Sequence, residues 1–281
     1  MKAFFKQILR KVGLLSWLQR FLTERGFQQR YGHVNQYTLV LSNHLVLFST
    51  KDDYSKQWFF PRYDNGKVHE PVVTGLFEQH IQQTDCVLDI GAHLGYFTCL
   101  ASALCTKGEV HAFEMEPLCI PLITENIKLN QLNNVVLNHA AVVEKSGLAY
   151  IPRLSKPKSS LKLTTLMNNA QEIPAISIDT YIENKQIVPS FIKIDVEGAE
   201  WKVLKGMKHT LSKPNLKLLI EIHVIPLRDH FQTDYRDILQ YLRSFGYTLI
   251  EYPDHRVANS LFRVITEETI LEGNTIIYCV K

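Results

Sequence analysis

The sequence predicts an α/β fold: a doubly wound, mostly parallel sheet with helices on both faces. Three observations predict it. Apolar strand-like runs alternate with helical ones from Cys86 to the final residues. An Asp-x-Gly-x-x-x-Gly turn, Asp89 to Gly95, joins the first of these strands to the first of these helices. An acid, Glu114, ends the next apolar run 19 residues after Gly95. Parallel neighbours need a crossover, and a helix between successive strands is the usual one.

At 281 residues, with 46% hydrophobic and 21% charged side chains, the chain is sized for one elaborated domain and can bury a sizeable core. That balance excludes wholesale disorder and coiled coil. We read residues 1–69 as an extension and 70–281 as the α/β domain. Residues 2–23 set Phe4, Phe5, Ile8, Leu9, Val12, Leu15, Leu18 and Leu22 at helical spacing, with Lys6, Arg10, Lys11 and Gln19 between them. Such a basic amphipathic helix either packs on protein or lies peripherally on an anionic membrane. Residues 1–31 carry seven basic residues against the single acid Glu24, so the body of the chain is slightly acidic. A nucleic-acid enzyme carries its basic face on the main body, so no nucleic-acid partner is expected.

Five cysteines without a Cys-x-x-Cys pair fit neither a zinc site nor a disulfide framework and predict a reducing, cytoplasmic setting. No apolar run approaches the ~18 residues of a membrane span. Val12–Leu18 resembles a short signal core, but Gln19 and Arg20 stand where a cleavage site needs small residues, so secretion is not expected.

Tyr37–Phe48 reads as a hairpin turning at Ser42-Asn43-His44, and Thr50–Glu70 as an aromatic-rich loop, either facing substrate or folded over the domain edge. Pro71–Gln82 is a predicted helix, Cys86–Ile90 a strand, Tyr96–Leu104 a helix, Glu109–Phe113 a strand and Cys119–Asn130 a helix. Val135–Ala141 is the next strand and Leu148–Ile151 a hairpin-like run. Arg153–Glu172, with Lys156, Lys158 and Lys162, reads as a loop that is either disordered or a lid over an anionic acceptor. Strands are predicted at Phe191–Val196, Leu216–His223, Tyr247–Tyr252 and Thr275–Val280, with helices at Ala199–Leu211 and Tyr235–Phe245.

The chemistry lies at strand ends. Glycine at 91 and 95 permits a sharp turn and close approach of a ligand. The spacing differs from the Gly-x-Gly-x-x-Gly cradle of a dinucleotide pyrophosphate, and Asp89 would repel a phosphate while attracting an ammonium. Glu114 stands at the spacing from which a strand-end acid bonds ribose hydroxyls. Together these select an adenosyl ligand with a cationic tail and no phosphate, which S-adenosylmethionine fits. In Phe191–Glu200, Lys193, Asp195 and Glu197 share one side of a strand that should otherwise be apolar. Glu221 and His223 end the following strand. Carboxylates on adjacent strands raise one another's pKa unless Lys193 or a cation compensates. No metal ligands are assigned, and a requirement for Mg²⁺ is open.

From about Glu70 to Tyr252 the chain resembles the FkbM family of S-adenosylmethionine-dependent methyltransferases. The segments that carry the resemblance are HEPVVTGL, VLDIGAHLGYFT, VHAFEMEP, ENIKLNQL, NHAAV, ISIDTYI, FIKIDVEGAEWKVLKG and LLIEIH, of which KIDVEGAE is the most specific. The resemblance implies a Rossmann-like class I methyltransferase sheet of seven strands, with Thr275–Val280 inserted antiparallel. It also implies O-methylation of a hydroxyl on a sugar, polyketide or related metabolite. His93 replaces a common asparagine, and FEMEP departs from the usual FEPxP.

An alcohol is a poor nucleophile at neutral pH, so a positioned base should take its proton. Asp195 or His223 is the expected base, with Glu197 and Glu221 orienting the acceptor or the cofactor end. The cofactor set is Asp89, Gly91, Ala92, His93, Gly95, Tyr96 and Glu114, with Asp195 adjoining it. A nucleic-acid or small-molecule N-methyltransferase is the nearest alternative, but the sequence after the fourth strand reads Asp195-Val196-Glu197-Gly198 instead of an Asn/Asp-Pro-Pro-aromatic tetrad. A nicotinamide oxidoreductase would need the other glycine spacing. A membrane-associated scaffold that has lost activity would have no need of the intact acids and glycines.

Overall fold

The structure is a computed structural model that describes residues 14–41, 43–165 and 168–281. Helix α1 (Leu14–Tyr31) leads into a hairpin of β1 (Gln36–Val40) and β2 (Leu45–Ser49), followed by α2 (Asp53–Phe59) and α3 (Pro71–His80). The α/β body then runs β3 (Cys86–Ile90), α4 (Tyr96–Leu104), β4 (Glu109–Glu114), α5 (Ile120–Leu129) and β5 (Val135–His139). Next come β6 (Ala141–Val142), β7 (Gly147–Pro152), β8 (Ala170–Ile176), α6 (Ile178–Lys185), β9 (Phe191–Ile194), α7 (Glu200–Lys205) and α8 (Lys208–Leu211). The chain closes with β10 (Lys217–Ile222), α9 (Val224–Phe231), α10 (Tyr235–Ser244), β11 (Thr248–Tyr252), β12 (Arg263–Val264) and β13 (Thr275–Val280).

The main sheet has the order β12-β11-β13-β10-β9-β3-β4-β5. Neighbours from β10 to β5 are parallel, while β13 pairs antiparallel with both β10 and β11. This is the seven-stranded arrangement expected from the family resemblance, with the antiparallel last strand in place. The two-residue β12 adds an eighth strand at the edge. A separate sheet, β6-β8-β7, stands beside it. Apolar side chains fill both faces of the main sheet, as a parallel sheet between helices requires.

Several segments differ from expectation. Residues 53–59 form a helix inside the predicted aromatic loop, and the Asp52 side chain caps it by accepting from the Ser55 N–H. The predicted strand 135–141 divides at Ala140, and its end joins the small sheet. The predicted loop 153–172 ends in a strand, β8, whose Ile173 and Ala175 point inward while Glu172 and Pro174 face solvent. The predicted helix 199–211 is broken at Gly206-Met207. Helix α9 was not expected. Pro226 lies in its first turn, where a missing N–H costs nothing.

The hairpin belongs to the same core as the body. Tyr37, Leu39, Phe48 and Phe59 are buried with Leu94, Tyr96 and Phe97. Asn126 of α5 accepts from the Ser49 N–H and donates to the Leu94 carbonyl, and Asn130 bonds both the N–H and the carbonyl of Leu47. The expected amphipathic helix over 2–23 lies largely outside the described residues. From Arg20 to Arg30 the helix is exposed except at Phe27, and Tyr31 stacks on Phe60. Among the described residues no helix is long and apolar enough to cross a membrane.

Candidate active site

In an open α/β sheet the ligand crevice forms beyond the carboxyl ends of the strands, where the chain order reverses. That point here lies between β3 and β9, and a cavity of about 480 Å³ opens there. Gly91, His93 and Glu114 line one side, and Asp195, Glu197, Glu221 and His223 the other. Of the predicted site residues, these seven meet in one cavity. Asp89, Ala92, Gly95 and Tyr96 do not line it.

Asp89 corrects an expectation. Its side chain is completely buried behind the cavity, accepts from the Thr98 hydroxyl at 2.6 Å and lies 3.5 Å from Lys193 Nζ. It therefore balances the Lys193 ammonium from behind the cavity wall. The glycines also serve the backbone. Gly91 has φ 89°, and a Cβ there would lie 1.8 Å from the Asp195 carbonyl oxygen. Its missing side chain lets the ends of β3 and β9 close on each other. At Gly95 (φ 77°) a Cβ would meet Ile123 of α5. Tyr96 stacks on Phe48 and ties the turn to the hairpin.

Glu114 ends β4 and is held by two backbone donors. His93 N–H reaches Oε2 at 2.6 Å, and Glu116 N–H reaches Oε1 at 2.7 Å. Each oxygen keeps a lone pair for a further donor. Burial outweighs these bonds and pushes the carboxyl up to about 7. Glu116 is buried behind it, bonded to Leu118 N–H. His93 adopts the left-handed region (φ 52°), and its Nε2 pairs with the Tyr54 hydroxyl at 2.6 Å. Burial lowers this imidazole to about 4, so it is neutral.

On the other side, Lys193 Nζ also lies 3.4 Å from Asp195 Oδ2. Burial opposes the lysine charge, but Asp195 and Asp89 outweigh it and keep the ammonium protonated. For Asp195, burial alone would raise the pKa; Lys193 and His223 prevail and hold the carboxyl below its ordinary value. His223 Nδ1 sits 2.8 Å from Glu200 Oε1, and its Nε2 lies 3.6 Å from both Glu197 and Glu221 and 3.9 Å from Asp195. Burial disfavours its charge, but the Glu200 bond and the surrounding carboxylates raise it to about 10. An imidazole held protonated cannot accept a proton, so of the two expected bases the arrangement favours Asp195. Burial and Asp195 raise Glu221 to about 8, and burial raises Glu197.

Trp58, Arg62 and Glu70 come from the Thr50–Glu70 stretch that could face substrate, although no role was assigned to any of them, and Arg256, from the turn after β11, was missed. Glu200 lies within the KIDVEGAE segment, but nothing local marks it as the partner of His223. Ser159, Leu161 and Lys162 of the 153–169 segment cover the cavity, with Leu161 buried.

The lining also tests which cofactor fits. Five carboxylates, those of Glu70, Glu114, Asp195, Glu197 and Glu221, face this space. Asp195, held ionised, suits the cationic sulfonium and ammonium of an adenosyl ligand. Glu114, with a lone pair free on each oxygen, is placed to accept ribose hydroxyls.

The family profile described as methyltransferase FkbM domain matches residues 89–249. The hexuronic acid methyltransferase AglP of Haloferax volcanii is 29% identical over 155 residues, covering 55% of this chain and 62% of that protein. The methyltransferase sdnD of Sordaria araneosa is 24% identical over 154 residues, covering 43% of this chain and 60% of that protein. The chain thus spans less than two thirds of the length of these relatives. A crystal structure of methyltransferase FkbM from Methylobacillus flagellatus aligns over 81% of this chain and 55% of that one, at 17% identity and a TM-score of 0.49.

Proposed function

The chain belongs to the FkbM methyltransferase family, and we propose that it transfers a methyl group from S-adenosylmethionine to a hydroxyl of an anionic sugar or glycan. The observation that carries this reading is the cavity at the β3–β9 switch point, lined by Glu114 on one side and Asp195 on the other. The cofactor supplies a methyl group already activated by a sulfonium, so the protein's work is alignment, proton removal and exclusion of water. Glu114 orients the ribose from the end of β4. Asp195 would accept the proton of the acceptor hydroxyl during transfer. Lys193 keeps Asp195 ionised, and His223, fixed by Glu200, orients the acceptor together with Glu197 and Glu221. Ser159, Leu161, Lys162, Leu163 and Trp58, which line the cavity, shield the reacting atoms from water.

Arg62, Lys162 and Arg256 stand around the same cavity and suit an acceptor carboxylate. This agrees with the hexuronic acid in the name of the Haloferax volcanii relative. The test is incubation with S-adenosylmethionine and a panel of uronic acid glycosides beside their neutral sugar counterparts, read by mass spectrometry. A methylated uronic acid product supports the reading, with Asp195→Asn slowing turnover by about 10²–10⁴. Methylation of an amine acceptor, or undiminished turnover by Asp195→Asn, would replace it.

A further inference from the structure

His255 presents two buried ring nitrogens, and neither has a hydrogen-bond partner. It lies in the turn after β11 and is 2% exposed. Its Nε2 faces Glu221 Oε1 at 3.7 Å and Glu70 Oε1 at 3.9 Å, too far for a hydrogen bond to either. Glu70 is 5% exposed, its Oε2 has no partner, and its backbone holds the left-handed region (φ 42°). Burying unpaired polar atoms of this kind is costly. One donor atom from each of the three residues lies within 4.8 Å of the others.

We propose that Glu70, Glu221 and His255 form a site for one first-row divalent cation at the acceptor end of the cavity. Two carboxylate oxygens and an imidazole nitrogen are a mixed donor set suited to Mn²⁺ or Zn²⁺ rather than to an all-oxygen Ca²⁺ cage. At bond lengths near 2.1 Å, donors on one tetrahedral edge stand about 3.4 Å apart, close to the 3.7 and 3.9 Å that separate His255 Nε2 from the two carboxylate oxygens.

Glu70 and Glu221 both line the cavity, so a cation on these three donors keeps coordination positions open toward the acceptor. Three protein ligands with open positions are the pattern of a catalytic site, not a structural one. Arg256 approaches the same oxygens from solvent, with Nη2 3.4 Å from Glu221 Oε1 and Nε 4.0 Å from Glu70 Oε1, and His69 Nε2 lies 3.5 Å from the latter. Arg256 is well exposed and is the group a bound cation would displace. Binding of the cation does not depend on methyl transfer being the activity.

The test is titration of the full chain with Mn²⁺, followed by electron paramagnetic resonance and spin-echo modulation. One Mn²⁺ per chain, with a directly coordinated imidazole nitrogen, is expected. In folded His255→Gln the nitrogen signature disappears, and in that variant and in Glu70→Gln affinity falls by more than the roughly 10–100-fold typical of losing an outer-shell partner. Absence of stoichiometric Mn²⁺ in the wild-type protein overturns the proposal whatever the variants do. So does bound Mn²⁺ without a nitrogen ligand, or binding unchanged in His255→Gln.

Discussion

Lys193 and Asp195, two residues apart at the end of one strand, hold their charges 3.4 Å from each other, and the lysine also neutralises the wholly buried Asp89. A lysine inside a parallel strand is anomalous as core and intelligible as the countercharge of the site. Removing it leaves Asp89 without a countercharge and Asp195 with His223 alone. Lys193→Met should cost about 3–5 kcal/mol of stability, measured by urea unfolding, even though methionine fills much of the same space.

Gly91→Ala tests how the site is closed. The new methyl group would meet the Asp195 carbonyl oxygen in a left-handed backbone that alanine resists. A loss of at least ~2 kcal/mol is expected in thermal or urea unfolding. Turnover should fall further than cofactor affinity, because the displaced group is the proposed base and not Glu114.

Glu114 gives the binding step a pH dependence. Its folded pKa is raised to about 7, so the carboxylate is ionised above that pH and protonated below it. An ionised acid accepts ribose hydroxyls better than a neutral one. Affinity for S-adenosylhomocysteine should therefore be highest above pH 7 and weaken by up to ~10-fold per unit below it. Glu114→Gln should flatten that dependence in calorimetric titrations.

Asn126 connects the extension to the body through buried bonds to Ser49 and Leu94. Asn126→Ala strands both backbone groups and should cost about 1–3 kcal/mol. Hydrogen exchange should quicken in the hairpin, including the Leu47 and Ser49 amides, before it changes in β9 or β10.

Much of this was legible in the sequence. The largely apolar runs at Cys86–Ile90, Phe191–Ile194 and Lys217–Ile222 announced the central strands because parallel strands are buried on both faces. The acids at and just beyond their ends announced the cavity. Illegible elements had mixed signals. Asp53–Phe59 is too short and aromatic for a helical period, and Pro174 masked the alternation of β8, which sits in a small sheet. Asp89 was misplaced because a motif shows that an acid is near a turn but not which way it points. Glu70 and His255 are far apart in sequence, and only the left-handed turn before α3 and the turn after β11 bring them together.

The most direct test of the account is calorimetric titration of the folded chain with S-adenosylhomocysteine, beside NAD⁺ and beside the Glu114→Ala variant. The account predicts micromolar binding of S-adenosylhomocysteine, no binding of NAD⁺, and loss of the signal in the variant. Absence of S-adenosylhomocysteine binding by folded protein, or equal binding by Glu114→Ala, would contradict it.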